Sequence, residues 1–216
     1  MNRLLILLFV VAASCSPKKP KESSNETTAV AIELIGKINI GSIPKSDNYQ
    51  IYQWNDHTVI FGKFDVDSIS RALTKQFYPE TVKVYRDPLY VFDKSQRCEN
   101  PETASQWRHY LLTANLVEDP EMQQEYRHYH EVQFDEWPEV AQGFCNANFQ
   151  QLLVYENNRQ LLLVISIPAD KTLNELNPLT TKDNPRMDEW NAMMGKYQEG
   201  IPGTGPDEVW VFLEEI

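Results

Sequence analysis

From Trp107 onward the chain runs through an order of elements that few folds accept. Trp107–Val117 reads as a strand. Pro120 suits the first position of a helix through Met122, Tyr126 and His130, because its missing N–H would have no partner there anyway. Phe149–Tyr155 and Gln160–Ile167 read as strands around a Glu156-Asn157-Asn158 turn, which makes a hairpin. A second helix starts at Pro185 or Met187 and carries Trp190, Met193, Met194 and Tyr197. Gly200, Pro202, Gly203, Gly205 and Pro206 then connect it to a last strand, Glu208–Leu213. The order β-α-β-β-α-β is that of a split βαβ unit.

The preceding residues give a shorter relative of this order. Val30–Ile43 alternates apolar and polar residues, with an interruption at Gly36. Tyr49–Trp54 and Thr58–Phe64 flank Asn55-Asp56-His57 as a hairpin. Asp67 or Ser68 caps a helix that places Ile69, Leu73 and Phe77 on one face and stops at Pro79. Val82–Phe92 is a strand that Pro88 demotes to an edge or a bend. The first half thus reads β-β-β-α-β and has no room for a helix between Ile43 and Tyr49. It is either a degenerate copy of the second half or an unrelated β-rich extension. As a copy, its sheet would pack face to face with the other. The expected fold class is α+β, ferredoxin-like, of the dimeric α/β barrel type. The polar stretch Asp93–Ser105 is the candidate boundary between segments 30–98 and 106–216.

Before Val30 the chain has a different character. Asn2-Arg3 and the apolar run Leu4–Val11 read as a secretory signal peptide over residues 1–14. The small residues before Cys15 resemble a bacterial lipobox, so Cys15 is expected to carry lipid, with 15–29 as a flexible tether. The expected location is the cell envelope, at the periplasm or the cell surface. Export would permit a disulfide between Cys98 and Cys145, but neither has a partner at metal-ligand spacing. Cys145 therefore reads as a helix-end packing residue and Cys98 as a linker residue. A net charge of −11, from 31 acidic against 20 basic residues, argues against nucleic acid as a partner.

Three of the four histidines, His109, His128 and His130, lie in or just before the stretch Glu125–Glu139. Tyr126 and His130 are four apart, hence on one helix face. His128 points about 200° around the helix from Tyr126. Pro138 breaks the helix near Phe134–Glu136, and a second helical piece runs from Trp137 to about Phe144. Asp135, Glu136 and Glu139 read as solvent-facing or helix N-terminal carboxylates. They are too close in sequence to oppose each other across a glycosidic bond, as glycoside hydrolysis requires.

From about Arg108 to Leu213 the chain resembles the L-rhamnose mutarotase family. EYRHYH at Glu125–His130, WPEV at Trp137–Val140, LLLVISI at Leu161–Ile167, DEWNAMM at Asp188–Met194 and the closing VWVFLE carry the resemblance. It implies an isomerase that interconverts the α and β anomers of a deoxyaldose such as L-rhamnose or L-fucose, with no metal or organic cofactor. It implies dimers of ferredoxin-like protomers, here either a homodimer or an intrachain pseudo-dimer. By position it makes His130 the acid/base and has Tyr126 and Trp190 shape the sugar site. Trp137 and Asn191 stand beside that site, Asn191 where the family has a second tryptophan. Phe149 stands where the family has a tyrosine. The connection from the histidine to Trp-Pro-Glu is lengthened to EVQFDE. His109, on the first strand, lines the pocket if it faces inward. Mutarotation moves one proton off the anomeric hydroxyl and one onto the ring oxygen, work suited to an imidazole. The competing readings are a non-catalytic carbohydrate-binding lipoprotein and, by fold analogy alone, a barrel monooxygenase.

Overall fold

Gly36, at φ 133°, ends the first strand. Only glycine adopts that backbone angle without strain. The computed structural model describes residues 28–216. The signal peptide and the Cys15 anchor fall outside the described residues. Strand β1 (Val30–Ile35) leads through a short 3-10 turn to the hairpin β2 (Tyr49–Trp54) and β3 (His57–Gly62). Helix α1 (Val66–Phe77) is capped by Asp65, not by Asp67 or Ser68. The Asp65 carboxylate accepts the N–H groups of Asp67 and Ser68 at 3.1 and 3.2 Å, which places those two residues inside the first turn. Pro88 splits the expected strand Val82–Phe92 in two, β4 (Thr81–Tyr85) and β5 (Tyr90–Asp93). Helix α2 (Lys94–Arg97) follows.

The second half follows the expected order of elements. Strand β6 (Trp107–Leu116) leads to helix α3 (Pro120–Glu136), which Asp119 caps with Pro120 at its first position. Helix α4 (Pro138–Asn146) starts one residue later. Strands β7 (Gln151–Asn157) and β8 (Gln160–Pro168) meet at Asn158-Arg159. Of the expected turn Glu156-Asn157-Asn158 only Asn158 is in the turn, because Asn158 takes the left-handed conformation at φ 55° that a tight hairpin requires, and Glu156 and Asn157 stay in β7. Helices α5 (Leu173–Leu176), α6 (Pro178–Thr181) and α7 (Pro185–Met194), strand β9 (Gln198–Glu199) and strand β10 (Val211–Glu215) complete the chain.

The two halves share one strand order. Along the sheet it runs β4-β1-β3-β2 and then β10-β6-β8-β7, followed by β5, with β9 paired to β6. Strand β2 pairs with β10, so the sheet is continuous through both halves. Strand β5 precedes the Asp93–Ser105 stretch, yet it pairs with β7 beyond it. The sheet is antiparallel and curled. One face of each half points inward, where Ala31, Tyr52, Phe61 and Tyr85 meet Leu153, Leu162 and Val164. The other faces lie under helices, α1 on the first half and α3, α4 and α7 on the second. Each buried aromatic or aliphatic side chain contributes about 1.5–3 kcal/mol, so each half depends on the other to cover its inner face.

Cys98 and Cys145 form a disulfide. This replaces the reading of the pair as separate packing and linker residues, and it fastens the end of α2 to the end of α4. Sequence spacing carries no information on whether two cysteines approach closely enough to bond.

One buried carboxylate joins the halves. Glu33 accepts from the Tyr85 hydroxyl at 2.8 Å and from Gln160 Nε2 at 2.9 and 3.0 Å, and lies 2.6 Å from His57 Nδ1. Gln160 Oε1 in turn accepts from Lys83. Burial alone would raise the Glu33 pKa. The bonds from His57 and Tyr85 and the charge of Lys83 outweigh it and hold the pKa below the usual 4.5. A depressed carboxyl stabilises the fold above its unfolded pKa, and that stability is lost as pH falls. Glu33→Leu is expected to cost roughly 3–5 kcal/mol in urea denaturation at neutral pH, because it leaves several buried donors unpartnered. It should also weaken the decline in stability below about pH 4.5. A variant as stable as the wild type, with the same acid limb, would show that the network contributes nothing.

Candidate functional site

Tyr126, His130 and Gln133 recur at i, i+4 and i+7 on α3, which turns all three toward the sheet. All three are buried. Between α3, α4, α6, α7 and the outer face of the sheet lies a cavity of about 500 Å³. Its polar lining includes Tyr126, His130, Tyr90, Asn191 and Gln198, and Leu152, Leu163 and Ile165 of the sheet form an apolar floor. Among the described residues, no carboxylate lines it. Asp135, Glu136 and Glu139 are exposed, so the opposed pair needed for glycoside hydrolysis is not in the cavity. Among the described residues, no three His, Cys, Asp or Glu side chains cluster as metal ligands.

The proton positions follow from the partners. His130 Nδ1 lies 2.9 Å from the Tyr126 carbonyl oxygen. A carbonyl only accepts, so Nδ1 carries the proton and Nε2 keeps a lone pair. Burial lowers the His130 pKa to about 4, against a smaller raising effect of the carbonyl bond. The ring is therefore neutral at pH 7. Its centroid is 4.3 Å from that of Tyr126, with the Trp190 ring edge-on at 5.4 Å and the Tyr90 ring at 5.3 Å.

Tyr126 is set from its other end. The Trp210 indole N–H, a donor only, bonds Gln198 Oε1 at 2.9 Å. The Gln198 amide nitrogen is thereby left as a donor, and it acts against the rise that burial gives the Tyr126 phenol pKa. Burial is the larger effect and raises the phenol pKa overall. Tyr126 lines the cavity, where its hydroxyl is able to donate. The arrangement offers a neutral base and a hydroxyl donor side by side in a pocket with an apolar floor.

The model of the L-rhamnose mutarotase family matches residues 109–216. The chain belongs to the L-rhamnose mutarotase family. It is 25% identical over 101 residues to an L-fucose mutarotase of Xanthomonas campestris, covering 44% of this chain and 75% of that protein. It is 25% identical over 95 residues to a UPF0734 protein of Dictyostelium discoideum, covering 44% of this chain and 74% of that one. A crystal structure of an uncharacterized ferredoxin fold protein related to antibiotic biosynthesis monooxygenases, from Listeria monocytogenes, aligns over 87% of this chain and 94% of its own. Its TM-score is 0.39 and its identity 11%.

Within the mutarotase-family segment the expected residues divide. Tyr126, His130, Trp190 and Asn191 line the cavity, Asn191 from an exposed position at the rim. Trp137 stands behind Trp190, ring to ring at 5.6 Å, with the Arg186 guanidinium 3.7 Å over its own ring. His109 lies on the other face of β6. Side chains alternate along a strand, so His109 shares the inward face with Leu111, while Leu112 meets the helices. His109 bonds Ser166 at 2.8 Å and lines a separate opening of about 550 Å³ at one end of the curled sheet. His128 is exposed, as its helical phase requires. Helix α3 runs through all six residues of EVQFDE, so the break falls at Trp137, just past the expected Phe134–Glu136.

Three cavity residues were not legible from the sequence. Tyr90, Gln198 and Trp210 arrive from β5, β9 and the approach to β10, and no local pattern announces that these elements meet there. Gln133, packed behind Tyr90, did carry a signal in its phase with Tyr126 and His130. The His130 tautomer can be read by ¹⁵N-resolved NMR of the imidazole. The Nδ1–H form is expected, with the ring staying neutral on acidification and titrating near pH 4. A midpoint near 6.5 would mean a solvated ring.

Proposed function

We propose that the protein is a sugar mutarotase that interconverts the α and β anomers of a deoxyaldose such as L-rhamnose or L-fucose. The observation that carries this reading is the neutral His130, with Nε2 free, its ring centroid 4.3 Å from that of Tyr126, whose hydroxyl can donate into the same cavity. His130 Nε2 takes the proton of the anomeric hydroxyl as the bond from C1 to the ring oxygen breaks. Tyr126 gives its proton to that oxygen. The open-chain aldehyde then rotates about C1–C2. On closure from the other face both protons return, so each group ends as it began. The transient imidazolium and phenolate are adjacent, which limits the cost of forming them away from water. Burial makes His130 a weak base but its cation a strong acid, which suits a group that must hand the proton back. Trp190 offers an aromatic face to sugar C–H groups, and Asn191 a carboxamide to a hydroxyl.

The L-fucose mutarotase similarity and the family match support the class of reaction. In the same proposal Cys15 carries the lipid that holds the domain at the cell envelope, and the inward faces of the two halves stand in for a dimer interface. The disulfide suits an exported chain. Incorporation of a labelled fatty acid, lost in Cys15→Ser, tests the anchor. Solution mass tests the pseudo-dimer, which requires one chain per particle.

Exchange NMR of the purified protein with L-rhamnose and L-fucose tests the reaction. Accelerated anomer exchange is expected, reduced on the order of a hundred- to ten-thousandfold in His130→Ala. Tyr126→Phe is expected to slow it while the protein stays folded. Binding without exchange would make this a carbohydrate-binding protein instead, and exchange unchanged by His130→Ala would remove the histidine from the mechanism.

A further inference from the structure

The cavity has a second tyrosine, Tyr90, and partners that have one orientation each fix the direction of its hydrogen bond. The chain of constraint starts at the break between α3 and α4. The Trp137 carbonyl takes a proton from Gln133 Nε2 at 2.6 Å. A carbonyl cannot donate, so the Gln133 amide has one orientation, with Oε1 turned away from Trp137. That oxygen, also an acceptor only, lies 2.6 Å from the Tyr90 hydroxyl. Tyr90 must therefore give its single proton to Gln133. What remains on the phenol oxygen is a lone pair.

Tyr90 lines the cavity, and Gln133 packs behind it without reaching the lining. The Tyr90 ring is held on both sides. Phe134 stacks on it at 5.4 Å with the planes 16° apart, and His130 meets it edge-on. The Arg97 guanidinium sits 3.7 Å over Phe134, and the neighbouring Cys98 is fixed to α4 by the disulfide. Two parts of the chain meet here. Gln133 and Phe134 belong to the connection EVQFDE, while Tyr90 comes from β5, outside the matched segment 109–216. Each holds the other in place.

We propose that Tyr90 is a specificity-determining residue of the cavity, accepting a hydrogen bond from one hydroxyl of the bound sugar, and that Gln133 is the residue that positions it. This rests on the mutarotase reading for the identity of the ligand. Tyr126 donates, whereas Tyr90 accepts. The site thus selects a ligand with a ring oxygen or other acceptor near His130 and a hydroxyl hydrogen facing β5. A carbohydrate carries both. A ligand with only acceptors at the second position is rejected, because it would face a lone pair with a lone pair.

The test uses the full chain and a set of probes: L-rhamnose, L-fucose, and forms of each with a single ring hydroxyl replaced by hydrogen or by fluorine. Affinity and exchange rate are measured for each. One position should stand out in the wild type, where hydrogen and fluorine both cost about tenfold in affinity, the size of one lost hydrogen bond. Fluorine is the informative probe, since it can accept but not donate. Tyr90→Phe should lose the same factor for the parent sugar and become indifferent at that position. Gln133→Met leaves the Tyr90 proton free to turn into the cavity. In this variant the fluorinated probe should recover affinity, with KM changing and kcat held within about twofold. A purely structural role for Gln133 would shift all probes together. Tyr90→Phe discriminating among the probes as the wild type does, or a wild type that accepts fluorine as well as hydroxyl at every position, would overturn the assignment. Exchange that is intact but indifferent to Tyr90 removes this inference alone. Selective binding that depends on Tyr90 without any exchange removes the mutarotase reading alone.

Discussion

Three groups in the cavity have their protons placed by partners that have no choice. The Tyr126 carbonyl can only accept, so His130 keeps its proton on Nδ1 and presents a lone pair at Nε2. The Trp210 indole can only donate, so Gln198 keeps its oxygen on Trp210 and offers its amide nitrogen as a donor at the cavity it shares with Tyr126. The Trp137 carbonyl can only accept, so Gln133 draws the proton of Tyr90 away from the cavity. Base, donor and acceptor are thus assigned before any ligand arrives. Such preorganisation matters because buried dipoles that must reorient during a reaction add to its barrier.

The sheet makes this possible by separating its two faces. Its inward faces bury each other across the two halves, with Glu33 and Gln160 tying them through a network of hydrogen bonds. The outer face of the second half is left to the helices and the cavity. His109 and His130 belong to these two different worlds, although one lies on the strand just before the helix that carries the other. The continuous sheet also lets β5, from the N-terminal side, reach the far edge and place Tyr90 beside His130.

What the sequence made legible was local. Pro120, Pro138 and Pro185 mark helix starts through their missing N–H groups, and each stands at the start of a helix in the structure. The Tyr126–His130 pair is a matter of helical phase, as is the exposure of His128. Boundaries slipped where a single backbone angle decides, as at Asn158, or where one carboxylate reaches the free N–H groups first, as at Asp65. The larger losses were tertiary. The face of β6 that receives His109 depends on which side the helices cover, and the Cys98–Cys145 bond depends on where β5 joins the sheet. Tyr90, Gln198 and Trp210 share the cavity only because the strand order brings β5, β9 and β10 around it. The lengthened connection EVQFDE continues α3 up to the break, and two of its residues, Gln133 and Phe134, hold Tyr90.

A neutral, buried imidazole acting as the base is the central claim, and the pH dependence of the enzyme-catalysed exchange rate tests it most directly. The rate is followed from about pH 3.5 to about pH 8, with spontaneous mutarotation subtracted. Activity is lost as His130 gains a proton, so kcat/KM should be level through neutrality and fall on the acid side with a midpoint near 4. A fall centred near 6.5, the value for a solvated histidine, or a rate that rises as His130 becomes protonated, would contradict it.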